Sequence, residues 1–422
     1  MAELIRIDDL AQPRLSEAQQ AALAYGETLQ VELDAGSILA EASEATGLRD
    51  FGPQDFRARL ELLCEEWAAD SGLTGLGRLP LRNKLLQHAR SRLLIQDLLG
   101  RHPEIHQVQL SAPIIVAGLP RSGTTHLLNL MAADSRLRAL PLWESYEPVP
   151  MPGETPRGGR DDPRWQRCEQ QWQMMQSMSP LLAAMHPMNP DHIHEELELM
   201  GPDFASYNYE WLAVSPRWRD AYYASDQTPH YQYMKTVLKL LTWQDGDHTG
   251  ERTRWVLKCP QHLEQLPVLR RVFPDATIAI THRDPVSVIQ SAVTMLAYGQ
   301  RTGRKRVDLP GLLDYWTARV AHLLEACVRD RDVIPPGQSI DVLFHEFMAD
   351  DLAMVERIYA RAGLPVTPAV RGELQAFLDA HPRGRHGQVV YDLRGDFGVE
   401  PAQLRERFQF YLDRFPVRVE VQ

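Results

Sequence analysis

The sequence predicts an α/β protein: a P-loop-like parallel sheet flanked by helices, with an all-helical segment ahead of it. Three observations carry this. Four short apolar or β-branched runs, Ile114–Ala117, Trp255–Leu257, Thr277–Thr281 and Ser339–Leu343, are separated by helical patterns, as in parallel strands covered on both faces. The first run enters a turn holding Gly118, Pro120, Ser122 and Gly123, and a helical pattern follows from Thr124 or Thr125. Upstream of residue 107 the apolar residues keep helical periods instead. The chain thus divides into a helical N-terminal subdomain, 1–106, and an α/β domain, 107–422.

In the helical part, Leu15, Ala18, Ala22 and Tyr25 share a face, as do Ile38, Ala42 and Ala45, then Phe56, Leu60, Leu63 and Trp67. Leu81, Leu85, Leu86 and His88 open a further helix running to Leu99, and Gly47, Gly52–Pro53 and the Gly72–Gly77 stretch punctuate the series. No catalytic constellation occurs there. Met151–Asp162, rich in Pro, Gly and Arg, reads as a mobile loop. A net charge of −11 argues against a nucleic-acid coat. The cysteines Cys64, Cys168, Cys259 and Cys327 lie far apart with no CxxC pair, which suggests neither zinc nor a disulfide framework. No signal-peptide core or long apolar run is present, so a cytoplasmic setting without a membrane span is expected.

Ligands of such sheets sit beyond the carboxyl ends of the strands, so the residues after each strand are where chemistry is sought. Strand, glycine loop and helix aim backbone N–H groups and a helix N-terminus at an anion. Gly118-x4-Gly123-Thr124-Thr125 nearly fits the nucleotide-loop template GxxxxGK[ST], but Thr124 stands where the lysine belongs and the cation is Arg121 instead. The loop suits a phosphate and lacks the lysine that reaches the β/γ-phosphates of ATP. After the third strand, Asp284 and Pro285 mark a helix start, with Arg283 before it and Ser291 within it placed to grip a phosphate. After the second, Lys258 precedes Pro260 and His262, whose imidazole at a helix start suits a general base. Glu144 is a candidate carboxylate base. The His192–Glu196 stretch superficially suggests metal ligands but lacks HExxH spacing, and no metal is expected. The basic clusters Arg301–Arg306 and Arg383–His386 are candidate phosphate contacts. Trp172–Met178 and Tyr207–Trp211 would line an apolar acceptor pocket or simply fill the core.

Taken together, these residues resemble the 3′-phosphoadenosine 5′-phosphosulfate (PAPS)-dependent sulfotransferases. The loop Gly118–Thr125 resembles that family's 5′-phosphosulfate loop, in the PRSGTT wording of bacterial members and the tyrosylprotein branch. Arg283 and Ser291 have the eight-residue spacing of its 3′-phosphate signature. Val256–Leu263, the closing Tyr391–Gly398 segment, Thr46-Gly47-Leu48 and Phe51-Gly52 are similar to the bacterial branch, so the likeness spans nearly the whole chain. It implies a sulfotransferase fold, PAPS as co-substrate, and in-line transfer to a hydroxyl or amine of an acceptor. Pro120, Arg121, Ser122, Gly123, Thr124 and Thr125 would hold the 5′-phosphosulfate, with Arg121 at the leaving phosphate. Arg283 and Ser291 would clamp the 3′-phosphate. Steroid and phenol sulfotransferases use a histidine in a Lys-x-His arrangement, whereas Lys258 and His262 are four apart; the tyrosylprotein branch uses a glutamate, and Glu144 lies comparably. His262 and Glu144 therefore both stand as the base, with His194 third. A P-loop kinase or hydrolase and an adenosine-phosphate-binding protein without turnover are the alternatives. Small-molecule, lipid, sugar and peptide hydroxyls are all open as acceptors.

Overall fold

The computed structural model describes residues 3–246 and 254–422. Among the described residues there are six strands: β1 (Leu4–Arg6), β2 (Ile114–Gly118), β3 (Val256–Cys259), β4 (Thr277–His282), β5 (Ser339–Leu343) and β6 (Gln388–Val390). The main sheet runs β3-β2-β4-β5 with every pair parallel. The four expected strands are those of this sheet, and the predicted fold class holds. The second begins at Val256 and continues through Lys258 to Cys259, which carries the lysine inside the strand. β2, β3 and β4 are buried along their whole length, as parallel strands between helical layers require. β1 and β6 pair separately in parallel. Three residues each, with an exposed end on both, give no alternation for a sequence to display.

Register sets the site. Gly118 lies opposite Thr281 and Ala117 opposite Cys259, so the turns after β2, β3 and β4 gather at one edge of the sheet. A Cβ on Gly118 would stand 1.8 Å from Thr281 Oγ1. Only glycine lets the two central strands close where the loop begins.

The helices Glu17–Glu27, Ala35–Thr46, Phe56–Ala69 and Gly75–Arg101 make up the N-terminal part. Ser16 and Gln19 form a capping box, and Asp34 and Thr74 cap the second and fourth helices. The apolar faces of the second, third and fourth share a core with Phe204, Tyr209, Trp218 and Tyr222. The Gly72–Gly77 stretch is more than the punctuation its sequence suggests. The helix starts at Gly75 and keeps Gly77 in its first turns, where a Cβ would lie 2.0 Å from Gly26 O and Gly303 O respectively. Thr74 N donates to Gly303 O at 3.0 Å and Lys305 N to Gly72 O at 2.9 Å. The Arg301–Arg306 cluster, expected as a phosphate contact, supplies tethers here: Arg301 pairs with Asp9 at 3.0 Å and Arg304 with Asp70 at 2.9 Å. Met151–Asp162 is irregular apart from a turn at Gly159–Asp161, and Arg167 pairs with Glu154 within it.

Behind the site a charged network lies fully inside. Arg319 donates to Glu210 at 2.9 Å and to both oxygens of Glu264 at 2.7 Å, while Tyr315 donates to Glu210 at 2.6 Å. Burial pushes the Glu210 carboxyl up, and Arg319 opposes it. Arg319→Met leaves both carboxylates without their cation, and a loss of about 3–5 kcal/mol is expected from urea denaturation. An unchanged midpoint would remove the network from the stability of the fold.

Candidate active site

The loop after β2 is held from below and open above. Arg121 takes φ +63° and Gly123 φ +82°, the left-handed pair that turns the chain into the helix Thr124–Met131. Ser122 Oγ donates to Leu119 O at 2.6 Å and lies 2.8 Å from Thr281 Oγ1. Its buried hydroxyl therefore ties the loop to β4. The helix has no side-chain cap at Gly123, which leaves its first-turn N–H groups for an anion. A Cβ on Gly123 would press on the Phe344 ring at 3.1 Å. Phe344, just after β5, was not singled out from sequence, and it roofs this turn.

Arg121 is in contact with both Ser291 and Arg283. Arg121 Nε donates to Ser291 Oγ at 3.0 Å, one η nitrogen donates to Met185 O at 2.5 Å, and the other reaches the Tyr391 hydroxyl at 3.4 Å. Arg283 donates to Arg121 O at 2.5 Å, and its guanidinium lies 3.9 Å from the Phe344 ring centroid. Its other two nitrogens hold the Glu420 carboxylate at 2.8 and 2.7 Å, while Asp284, the cap of helix Pro285–Gly299, accepts from Glu420 N. A carboxylate thus fills the anion position of Arg283 from the C-terminal segment. In the Arg383–His386 cluster, Arg383 pairs with Asp351.

Beside the loop, Lys258 Nζ donates to Thr125 Oγ1 at 3.2 Å and pairs with the Glu195 carboxylate. Lys258 N donates to Glu196 Oε2 at 2.8 Å. Glu196 also holds His262 Nε2, whose Nδ1 lies 2.9 Å from the Tyr231 hydroxyl. His262 is 0 % exposed, with both ring nitrogens engaged behind the site. Glu144 is paired at 2.8 Å with Arg138, which also holds Asp245.

One cavity of about 760 Å³ joins these parts. Pro120, Arg121, Gly123, Thr124, Thr125 and Arg283 face it, and so do Lys258, Glu195, His194 and His186. Neither His262 nor Glu144 is among its lining residues; of the three candidate bases, His194 alone is. Ser122 and Ser291 stand behind the wall. Met175 and Trp211 also reach the cavity, whereas Trp172 and Tyr207 are buried in the core. Glu195 escaped sequence reasoning because its stretch was judged for metal spacing. The signal was present in the adjacent pair Glu195-Glu196, two carboxylates available to a lysine inside a buried strand. Among the described residues no group of three His, Cys, Asp or Glu is placed to hold a metal.

Burial pushes the Glu195 carboxyl above its ordinary value, against the pull of Lys258. Burial, Lys258 and Arg121 push His186 down to about 4, and burial with His186 pushes His192 down to about 3. Burial holds His194 well below 6.5. These rings are neutral in the folded chain, whereas the unfolded chain takes up their protons near pH 6.5. Their stabilisation is complete above that pH and is lost on acidification towards the folded values. Melting temperature is expected to fall between about pH 6.5 and about pH 4, and a flat profile there would exclude these rings from the balance.

A family model described as the sulfotransferase family matches residues 113–368. The crystal structure of sulfotransferase STF1 from Mycobacterium tuberculosis H37Rv superposes with a TM-score of 0.77 at 27% identity, covering 90% of this chain and 99% of that one. Sulfotransferase STF9 from Mycobacterium avium gives a TM-score of 0.81 at 24% identity, covering 92% and 98%. No curated protein sequence is a match. With the family model spanning more than half of its length, the chain belongs to the sulfotransferase family.

Proposed function

We propose that this sulfotransferase moves a sulfuryl group from PAPS to an acceptor hydroxyl by in-line displacement. The observation that carries the reading is one cavity at the carboxyl edge of the sheet, faced by a lysine-free phosphate loop and by Arg283, whose guanidinium already holds a carboxylate. The donor, a substrate, brings a sulfuryl group joined to a nucleotide phosphate. First-turn N–H groups of the helix Thr124–Met131, with the Thr124 and Thr125 hydroxyls, hold its 5′-phosphosulfate. Arg121 meets the charge that develops on the leaving phosphate. Arg283 takes the 3′-phosphate, and Ser291 steadies Arg121 through its hydroxyl.

Lys258, bonded to Thr125, offsets charge on the transferring group, since such loose transfers are driven by positioning and electrostatics. Glu195 accepts the acceptor's proton. It faces the cavity beside Lys258, and burial raises its basicity. His262 acts one layer back, fixing Glu196 and with it the Lys258 backbone. Glu144 serves as the partner of Arg138.

Calorimetric titration with 3′-phosphoadenosine 5′-phosphate, ADP, ATP and AMP tests the donor. Binding is expected to require the 3′-phosphate, and Arg283→Ala to weaken it by about 1.5–3 kcal/mol, the value of a charged hydrogen bond. Mg²⁺-dependent ATP binding indifferent to the 3′-phosphate would overturn the reading. Glu195→Gln is expected to lower kcat by about 10²–10⁴ with donor affinity kept. In the unaltered protein kcat should decline on acidification through the raised carboxyl value. Unchanged turnover in the variant would exclude Glu195 as the base.

A further inference from the structure

Away from the loop and Lys258, most of the cavity wall is apolar, and Arg383 at its rim is paired with Asp351. It comes largely from the helical N-terminal part and the segments packed on it: Leu73, Leu76 and Leu81, then Leu197, Trp211 and Leu212. The charged groups on this wall are already matched. Lys84 pairs with Glu198 at 3.3 Å and lies 3.8 Å from the Tyr146 ring centroid. Burial opposes the Glu198 charge, but Lys84 and His88 outweigh it and hold the carboxyl at about 2. Asn208 donates to the same carboxylate at 2.8 Å, and Arg304 is held by Asp70. A charged acceptor placed here would lose its hydration with no opposite charge to replace it. An uncharged molecule of large apolar surface meets no such penalty.

The wall is also fixed in place. The helix Gly75–Arg101 is bonded to the 302–305 turn through Thr74 and Lys305, and the backbones of Gly77 and Gly303 are in close approach. A wall held this firmly selects by shape and polarity.

We infer that the acceptor is an uncharged, largely apolar alcohol or phenol, its body against the N-terminal helix Gly75–Arg101 and its hydroxyl at Lys258 and Glu195. The inference rests on the sulfuryl-transfer reading above. The acceptor oxygen bonds to sulfur as the donor's sulfur–oxygen bond breaks, and the hydroxyl proton passes to Glu195. The products are a sulfate monoester and 3′-phosphoadenosine 5′-phosphate.

The test is a binding comparison on the full chain saturated with 3′-phosphoadenosine 5′-phosphate, whose own binding is measured first. The probes are 2-naphthol, its carboxylated counterpart 6-hydroxy-2-naphthoate, glucose and an acidic tyrosine peptide. 2-Naphthol is expected to bind about tenfold or more tighter than each of the others, and to be the one sulfated when PAPS is supplied. Leu212→Trp, which adds bulk to the apolar wall, is expected to weaken 2-naphthol about tenfold and leave the nucleotide affinity unchanged. The probe comparison stands even if this variant does not fold. Equal or tighter binding of the carboxylate, sugar or peptide overturns the inference while the donor reading survives, and so does failure of 2-naphthol to bind to a nucleotide-loaded chain. Failure of the nucleotide itself to bind overturns both.

Discussion

A buried ammonium at the end of β3 organises much of this structure. Lys258 is 2 % exposed, and removing an ion of that size from water costs several kcal/mol unless an opposite charge accompanies it. The 194–196 segment brings that charge across the sheet edge. Glu195 meets the side chain and Glu196 the backbone of the same residue. Glu196 in turn requires His262, and His262 is held by Tyr231. The chain from Pro190 to Leu197 must therefore settle on the strand ends for the sheet to keep its lysine. That placement sets Lys258 against Thr125 in the phosphate loop.

The sequence displayed the sheet, the loop and the Arg283 turn because each is a local pattern. Buried parallel strands read as apolar runs, a loop needs its glycines in order, and Asp284-Pro285 announces a helix start. Glu195 is different in kind. Its environment comes from a residue 63 positions away, and nothing near it in the chain reports that a lysine will be buried there. The same holds for His262. Its position after a strand suggests a general base, yet in the 3₁₀ turn Pro260–Glu264 it is fully buried and does not face the cavity. The glycines at 75 and 77 do mark the break between two helices, and their second role, close backbone approach to Gly26 and Gly303, comes from distant parts of the chain that no local pattern displays.

The division of labour follows from these contacts. The parallel sheet supplies the glycine loop and the central polar group, and the helical part supplies much of the apolar wall. Where the two meet, backbone bonds, paired glycines and the Arg304–Asp70 pair hold them together. The C-terminal segment closes the opposite side through Glu420 on Arg283.

The left-handed conformation of Arg121 has a consequence for sequence comparison. A non-glycine residue there carries about 1–3 kcal/mol of strain that glycine would relieve. Against that strain stand the bonds of the guanidinium to Ser291, Met185 O and Tyr391, which glycine would forfeit. Among related sequences, glycine at this position would mark a lineage that has released its guanidinium and relaxed the loop. The residue at 121 thus couples the shape of the loop to the contacts of its own side chain.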